Sequence, residues 1–258
     1  KDVLTSVTLA PSLGFSSYMD NLGEVENRGY ELSLRATLIR DQARKIFWSM
    51  NGSLIHNENK LLKISNALKA YNETQDKEAD ANQSDYSAND WINKAVNRPR
   101  VRYIEGASMN SIWVNRSLGI DPATGNELFA DRNGGIVSDW SSANYVIGGC
   151  TDPKVEGTFG TNFTWKGLSL NMTFRYRIGG QMYNQTLVDK VQDIDPRYNA
   201  DKRAFEQRWQ KPGDQVRFAA FSEDSQGINI GYRTKPTSRF VEDYNYLELA
   251  TLNVAYEF

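Results

Sequence analysis

Apolar and polar residues alternate along several long stretches of the chain. In the clearest one, an apolar residue stands at every second position from Leu168 to Ile178. A period of two residues is that of a β-strand whose two faces meet different surroundings. The pattern predicts strands over residues 29–40, 45–56, 158–165, 168–178 and 246–258, and more weakly over 2–9.

The alternation changes phase within the last predicted strand. Leu247 and Leu249 occupy odd positions, whereas the apolar residues from Leu252 onward occupy even ones. A β-bulge near Ala250–Thr251 would bring both sets to one face, because a bulge adds a residue to one strand only.

Short and long connections alternate between the predicted strands. Residues 41–44 and 166–167 are tight turns, whereas residues 10–28, 57–157 and 179–243 form long connections. Outer-membrane barrels have short periplasmic turns and long extracellular loops. We therefore predict an all-β fold, an antiparallel transmembrane β-barrel fragment of about six spanning strands, with the tight turns in the periplasm.

The two phases of the alternation predict a lipid face and a lumen face. Aromatic residues of the apolar phase lie near the strand ends, as in the aromatic girdles of membrane barrels. Those predicted to face lipid are Trp48, Trp165, Tyr176, Tyr256 and Phe258. The other phase is polar and partly charged, which suits a hydrated or plugged lumen. Residues predicted to face the lumen are Glu31, Arg35, Asn171, Arg175 and Arg177.

A soluble β-sandwich with one solvated face would also alternate with period two. The length of the alternating stretches and the tryptophans at turn ends argue against it. Six strands cannot close a barrel with so polar an interior, and an open sheet in lipid leaves unpaired edges. We therefore expect residues 1–258 to be part of a single barrel domain whose other strands are absent from this chain.

Composition and charge exclude several classes of function. The 258 residues include 30 Lys and Arg and 32 Asp and Glu, a formal net charge of -2, so the chain has no electrostatic footprint for nucleic acid. Cys150 is the single cysteine and His56 the single histidine, so neither an internal disulfide nor a zinc site is expected. No motif fixes a nucleophile or an acid–base pair, and we expect no enzymatic activity, no cofactor and no metal.

Residues 131–135 have the composition of an oxygen-rich calcium loop, with Asp131, Asn133 and two glycines. However, Arg132 places a cation inside the loop, and no later carboxylate stands at the EF-hand spacing. Ordinary turn formation by Asp, Asn and Gly is the interpretation that we favour.

Motifs spread over nearly the whole chain carry a family resemblance. Residues 21–32 match an N-x-G-x-V-x-N-x-G-x-E segment that enters a barrel strand, and residues 119–125 match a G-x-D-P-x-T-G turn. Further matches, in family order, are residues 47–51, 147–159, 165–168, 179–184, Trp209, 212–214 and 238–243. Together they resemble the SusC/RagA family of TonB-dependent outer-membrane transporters of Bacteroidota. Trp165 stands where the family usually has Tyr, and Glu248 where Arg is common.

The resemblance implies a Gram-negative outer-membrane barrel of about 22 strands, closed by a plug. It also implies that the plug domain and the remaining strands are absent from this chain. A SusD-like surface lipoprotein would cover the barrel as a lid, and TonB, acting through the missing N-terminal part, would displace the plug to admit an oligosaccharide or peptide cargo. We therefore expect an active importer embedded in outer-membrane lipid. The alternatives are a passive porin and a soluble glycan-binding or glycan-cleaving β-protein.

Aromatic residues in the long connections are the candidate cargo contacts, because their flat faces can stack on the C–H faces of sugar rings. These residues are Tyr86, Trp91, Tyr103, Trp113, Trp140 and Trp209. They would equally suit burial within folded loops or against the lid protein. Since disordered segments are poor in aromatic residues, we expect connections 57–157 and 179–243 to fold and to form a lid-protein interface.

Overall fold

The computed structural model describes residues 2–8, 17–81, 97–194, 196, 198–223, 229–230 and 234–258. The chain divides into two compact units. The first unit comprises Lys1–Val25, Leu61–Gly149 and Met182–Glu242, and the second comprises Glu26–Lys60, Cys150–Gln181 and Asp243–Phe258.

Strands dominate the described residues. In chain order they are β1 (Asp2–Thr8), β2 (Ser17–Asp41), β3 (Ile46–Ile64), β4 (Ser111–Ile120), β5 (Glu127–Ala130), β6 (Ile136–Val137), β7 (Tyr145–Cys150), β8 (Val155–Trp165), β9 (Leu168–Tyr183), β10 (Ser222–Glu223), β11 (Asn229–Ile230) and β12 (Val241–Tyr256). The helices are α1 (Asn66–Ala81), α2 (Gln185–Leu187) and α3 (Arg203–Glu206), with a π-helical turn at Val188–Gln192 and 3₁₀ turns at Ser142–Asn144 and Ser238–Phe240.

The six strands that the alternation predicts form one sheet, in the order β1-β2-β3-β8-β9-β12. Their predicted existence is confirmed, but several of them are longer than predicted. β3 continues to Ile64 and β9 to Tyr183, because backbone pairing does not require the alternation to persist. Beyond the predicted end of β3, in the second unit, the Asn59 side-chain amide donates a 2.7 Å hydrogen bond to the Asn27 side-chain oxygen of β2. The bulge predicted within β12 stays a prediction.

The two tight turns are confirmed, the first displaced by one residue to 42–45. It is closed by the Arg44 amide, which donates to the Asp41 carboxylate at 3.0 Å. In the second turn, Lys166 and Gly167 both have positive φ, at 47° and 92°. Two consecutive left-handed residues are what a two-residue type I′ hairpin requires.

In the second unit, the register of β3, β8 and β9 places the two phases of the alternation on opposite faces. Rows of the apolar phase are Ile46–Trp165–Leu168, Trp48–Phe163–Leu170, Met50–Thr161–Met172 and Gly52–Phe159–Phe174. The polar rows between them are Ser49–Asn162–Asn171, Asn51–Gly160–Thr173 and Ser53–Thr158–Arg175. Residues directly opposite one another in an antiparallel pair share a face. The predicted separation into two faces therefore runs across three strands, and which face meets lipid stays a prediction.

The long connections of the first unit contain folded structure, as predicted, although their strands and helix are not evident from the alternation. They contain α1 and a four-stranded sheet with the order β6-β5-β4-β7. Among its described residues, three apolar clusters hold the unit together: one around Phe218 and Phe240, one around Trp113 and Trp140, and one around Leu61. Among the described residues, no helix is both long and apolar enough to cross a membrane.

Candidate functional site

Two of the candidate cargo-contacting tryptophans lie in the core of the first unit. Trp113 and Trp140 are 6% and 7% exposed, and the Trp140 ring meets the edge of Tyr145 with 5.3 Å between centroids. Burial at this level supports the alternative of packing within the folded loops. Tyr86 and Trp91 lie outside the residues that the structure describes.

Tyr103 and Trp209 are the partly exposed candidates. The backbone of Tyr103 is held by the Asn72 side chain, which donates to its carbonyl at 2.7 Å and accepts from its amide at 3.1 Å. Burial raises the pKa of the Tyr103 hydroxyl. Trp209 donates its indole N–H to the Pro122 carbonyl at 2.9 Å. Cargo contact by any of these aromatic residues stays a prediction.

A cleft of about 550 Å³ opens beside Pro122 in the first unit. It is lined by Gly119, Ile120, Pro122, Glu206, Gln207, Gln215, Val216 and Arg217. The lining combines apolar walls with amide, carboxylate and guanidinium groups. Such a mixture of apolar surface and a few polar groups is typical of ligand sites, and the cleft is a candidate site for a polar ligand.

A buried ion pair joins β5 to the segment that leads into β12. The Glu127 carboxylate is fully buried and accepts from Arg239 Nη2 at 2.8 Å. Thr237 Oγ1 donates to the same carboxylate at 2.6 Å. A buried carboxylate needs such partners, since desolvation of an unpaired charge is costly. Sequence reasoning missed this pair because charged residues are usually exposed.

Arg208 is a second buried cation, 1% exposed. Its guanidinium donates to the backbone carbonyls of Ala204, Ala219, Val191 and Gln192 at 2.6–2.9 Å. Burial lowers the pKa of Arg208 to about 10. One side chain thereby ties together the π-helical turn, α3 and the segment after Phe218, a role that suits the several forked N–H donors of arginine.

Lys235 holds the C-terminal turn of α1. Its ammonium donates to the Ala79 carbonyl at 2.6 Å and lies 4.8 Å from the centre of the Trp140 ring. A cation at this position satisfies a carbonyl that the helix leaves unpaired. Burial lowers the pKa of Lys235 to about 8.

The calcium-like segment forms an ordinary turn. Asp131 Oδ1 accepts from the amides of Asn133 and Gly135, both at 2.7 Å. Asp121 acts similarly on the amide of Ala123 at 3.0 Å, and this hydrogen bond lowers the pKa of the Asp121 carboxyl. Within the described parts of the chain, no group of three or more His, Cys, Asp or Glu side chains is placed to hold a metal ion.

The residues predicted to face the lumen are polar-phase residues of the second unit. Asn171 donates to Asn162 in the next strand, and the Arg177 guanidinium lies 5.4 Å from the centre of the Tyr244 ring. Glu31 and Arg35 are exposed. Hydrogen bonds between polar-phase neighbours are what a hydrated face allows, and the assignment of this face to the lumen stays a prediction.

The residues predicted to face lipid belong to the apolar phase. Trp48 donates its indole N–H to Thr161 at 2.8 Å, and the Tyr176 hydroxyl donates to the Ser53 carbonyl at 3.0 Å. Trp165 is 45% exposed. The last two such residues, Tyr256 and Phe258, meet edge to face with 5.0 Å between ring centroids.

No family model matches the chain. Curated relatives include TonB-dependent receptor P39 of Formosa agariphila, 23% identical over 284 residues that cover 100% of this chain and 26% of the relative. TonB-dependent receptor P3 of the same organism is 26% identical over 204 residues, covering 73% of this chain and 18% of the relative. The chain thus spans about a quarter, or less, of the length of these relatives.

Solved structures show the same fold. The RagAB peptide transporter matches with a TM-score of 0.67 at 20% identity, covering 98% of this chain and 25% of that chain. The RagAB peptide importer in the open-open state matches with a TM-score of 0.66 at 19% identity, covering 99% and 25%. These findings confirm the resemblance given by the motifs: the chain is similar to TonB-dependent receptors over its whole length, and its fold is the antiparallel β-sheet of a TonB-dependent transporter barrel.

Proposed function

We propose that this chain is part of the barrel domain of an outer-membrane transporter that imports nutrients with energy delivered through TonB. The relatives named TonB-dependent receptors and the RagAB fold support this proposal. The observation that carries it is the register of β3, β8 and β9, which gives one mainly apolar face and one polar face. A membrane barrel needs such a sheet, because lipid and a hydrated lumen meet its two sides.

Exposure in the second unit favours this function over a soluble glycan-binding or glycan-cleaving protein. Large apolar side chains are widely exposed there, with Leu34 at 69% and Leu247 and Val254 at 65%. Extended apolar patches are rare on soluble proteins and mark surfaces that another phase or partner covers. In the proposed barrel, outer-membrane lipid and the neighbouring strands cover these side chains.

The proposal includes a SusD-like lipoprotein as a lid over the extracellular connections. The first unit supports it by its folded clusters and its buried ion pair, since a partner docks best on a preorganised surface. We infer an oligosaccharide or a peptide as cargo. RagAB is named a peptide importer, whereas the names of the curated relatives specify no cargo. Binding and gated passage require no catalytic group, so we expect no enzymatic activity.

Uptake by cells tests the function. The full-length protein would be expressed in a Bacteroidota host that lacks its own copy, and the host would be fed fluorescent oligosaccharide and peptide mixtures. We expect uptake that requires the protein and disappears when TonB is deleted or the proton gradient is collapsed. Uptake that persists without TonB would favour a passive porin, and no uptake from any mixture, with the protein in the soluble fraction, would contradict the proposal.

Affinity purification tests the lid. A tagged full-length protein should retain a surface lipoprotein encoded beside it, and the Glu127→Gln variant, which weakens the first unit, should retain less. The matched control is Asp201→Asn, which removes a charge from an exposed pair with Arg203. Equal recovery of the lipoprotein in all three proteins would show that the first unit does not form the interface.

A further inference from the structure

The two tight turns of the second unit lie side by side at one edge of the sheet. The Lys166 backbone N–H donates to the Lys45 carbonyl at 3.2 Å, which joins the β8–β9 turn to the β2–β3 turn. The next residues of the two strands, Ile46 and Trp165, are register partners. Lys45 and Lys166 are both exposed, so the joined turns present two neighbouring lysines to the surroundings. These two residues are called the lysine pair below.

The lysine pair has an unusual backbone conformation. Lys45 has a φ of 53° and Lys166 a φ of 47°, and they are the two non-glycine residues with positive φ in the described part of the chain. The left-handed region is unfavourable for a residue that carries a Cβ atom, and turns usually place Gly or Asn there. A strained backbone conformation is often retained where the side chain has a role. Lysine at both positions therefore indicates that two cations are needed at this place.

Positive charge exceeds negative charge around the joined turns. Within the described residues, neither member of the lysine pair forms an ion pair, whereas the Asp41 carboxylate pairs with Arg44, with 3.7 Å between Oδ2 and Nε. Four cations stand against two carboxylates in and beside the turns: Arg40, Arg44, Lys45 and Lys166 against Asp41 and Glu257. A chain with a net charge of -2 thus has a positively charged edge.

An exposed tryptophan stands beside one of the two lysines. The Lys166 ammonium lies 5.5 Å from the centre of the Trp165 ring, and Trp165 is 45% exposed. Tryptophan is typical of the boundary between acyl chains and headgroups, and a lysine next to it can keep its apolar stem against the ring while its ammonium reaches the headgroup level. The cation would then lie at the depth of the lipid phosphates.

We propose that the lysine pair, with Trp165, binds the phosphate groups of anionic phospholipids in the periplasmic leaflet of the outer membrane. The proposal rests on the proposed function and on the orientation that places the tight turns in the periplasm. An ammonium group is a compact charge that binds phosphate oxygens well, and two neighbouring ammonium groups add their attraction. These contacts would fix the depth of this edge of the barrel in the membrane.

Lipid competition tests the proposal. The full-length protein would be reconstituted in vesicles of phosphatidylcholine and phosphatidylglycerol, extracted in mild detergent, and examined by native mass spectrometry for the lipids that it retains. We expect the wild-type protein to retain phosphatidylglycerol in preference to phosphatidylcholine. Lys45→Asn/Lys166→Asn removes both cations, and the turns should persist because asparagine tolerates the left-handed conformation. Since one lysine near an anionic surface contributes roughly fivefold, the preference should fall at least about fivefold.

Two further variants separate the lysine pair from charge in general. Lys45→Arg/Lys166→Arg should retain the preference. The matched control is Lys60→Asn/Lys154→Asn, which removes two exposed lysines of the second unit that lie away from the turns and should also behave as wild type. No preference in the wild-type protein would overturn the proposal. The same conclusion would follow if Lys45→Asn/Lys166→Asn kept the preference or if the control lost it equally.

Two other outcomes identify the source of a failure. Displacement of the retained lipid by soluble glycerol phosphate would show a site for free phosphate and would overturn binding to a lipid surface. A protein that inserts and imports but lacks the preference would contradict this inference alone. A protein that does not enter the vesicles would contradict the proposed function as well.

Discussion

The rings of Phe159 and Phe174 stack across neighbouring strands, with 5.0 Å between centroids and 15° between planes. The two residues are register partners of β8 and β9, and both belong to the apolar phase of the alternation. Aromatic pairs of this kind add about 0.5–1.5 kcal/mol beyond the area that they bury. The stack therefore fixes both the register and the apolar face of this hairpin.

A charge on the apolar face should cost far more than one on the polar face. Phe174→Arg is expected to lower the free energy of unfolding in lipid by roughly 2–4 kcal/mol, since arginine near the middle of a bilayer loses its hydration. Thr173→Arg, one residue away on the polar face, should fold almost normally. Urea titration of the full-length protein in lipid vesicles measures both costs. Equal costs would remove the assignment of the two faces, and reversed costs would invert it.

The tight turns should face the periplasm and the first-unit connections the cell exterior. On intact cells, a membrane-impermeant maleimide should modify Lys211→Cys, an exposed residue of connection 179–243, but not Lys166→Cys in the β8–β9 turn. Permeabilised cells should show modification at both positions, which serves as the control for accessibility. Labelling of Lys166→Cys on intact cells would reverse the topology.

Removal of one partner from the Glu127–Arg239 pair should destabilise the first unit strongly. Glu127→Leu leaves a buried guanidinium unpaired and is expected to cost about 3–5 kcal/mol. The double variant Glu127→Leu/Arg239→Met should recover much of this loss, because the remaining charge is removed as well. Hydrogen exchange of the β4 and β5 amides measures the changes. A double variant as unstable as the single one would contradict this explanation. It would show that the loss of stability comes from the missing contacts of the pair and not from an unpaired buried charge.

Lys235 should make the first unit more stable at alkaline pH. Its pKa is about 8 in the folded protein and about 10.4 in an unfolded chain, so the unfolded state binds more protons between these values. The contribution of this group to the stability of the first unit therefore increases as the pH rises from about 8 to about 10, and it no longer changes below about pH 8. The difference in melting temperature between wild type and Lys235→Met should show this dependence. A difference that does not vary with pH would contradict it.

The strands and turns of the second unit were predictable because their chemistry is local. Alternation places Leu170 and Phe174 on one face wherever the strand lies. The turn at Lys166-Gly167 is predictable because a glycine that can adopt positive φ stands between two alternating stretches. The family motifs added the transporter fold, which the RagAB structures match. The strand ends were harder to predict, because β3 continues past residue 56 to Ile64 without the alternation that indicated the strand.

The structure of the first unit was not predictable in the same way. Helix α1 is rich in charged and polar residues and has few apolar positions to show its period. β5 and β6 have four and two residues, too few for a pattern. Burial of Glu127 and Arg208 depends on partners distant in sequence, and the same holds for the burial of Trp113 and Trp140, which sequence alone also allowed as cargo contacts.

Spin-label accessibility along β9 in lipid tests the central claim, that the two faces of this sheet meet lipid and a hydrated lumen. Labels would be placed singly, in the full-length protein in bilayers, at Leu170, Asn171, Met172, Thr173, Phe174 and Arg175. Collisions with oxygen, which concentrates in lipid, should be frequent at the three even positions, and collisions with a water-soluble nickel chelate should be frequent at the three odd ones. A period of two with opposite phases for the two reagents is the predicted result. Uniformly high nickel accessibility on both faces would contradict the account, because it would place the sheet in water.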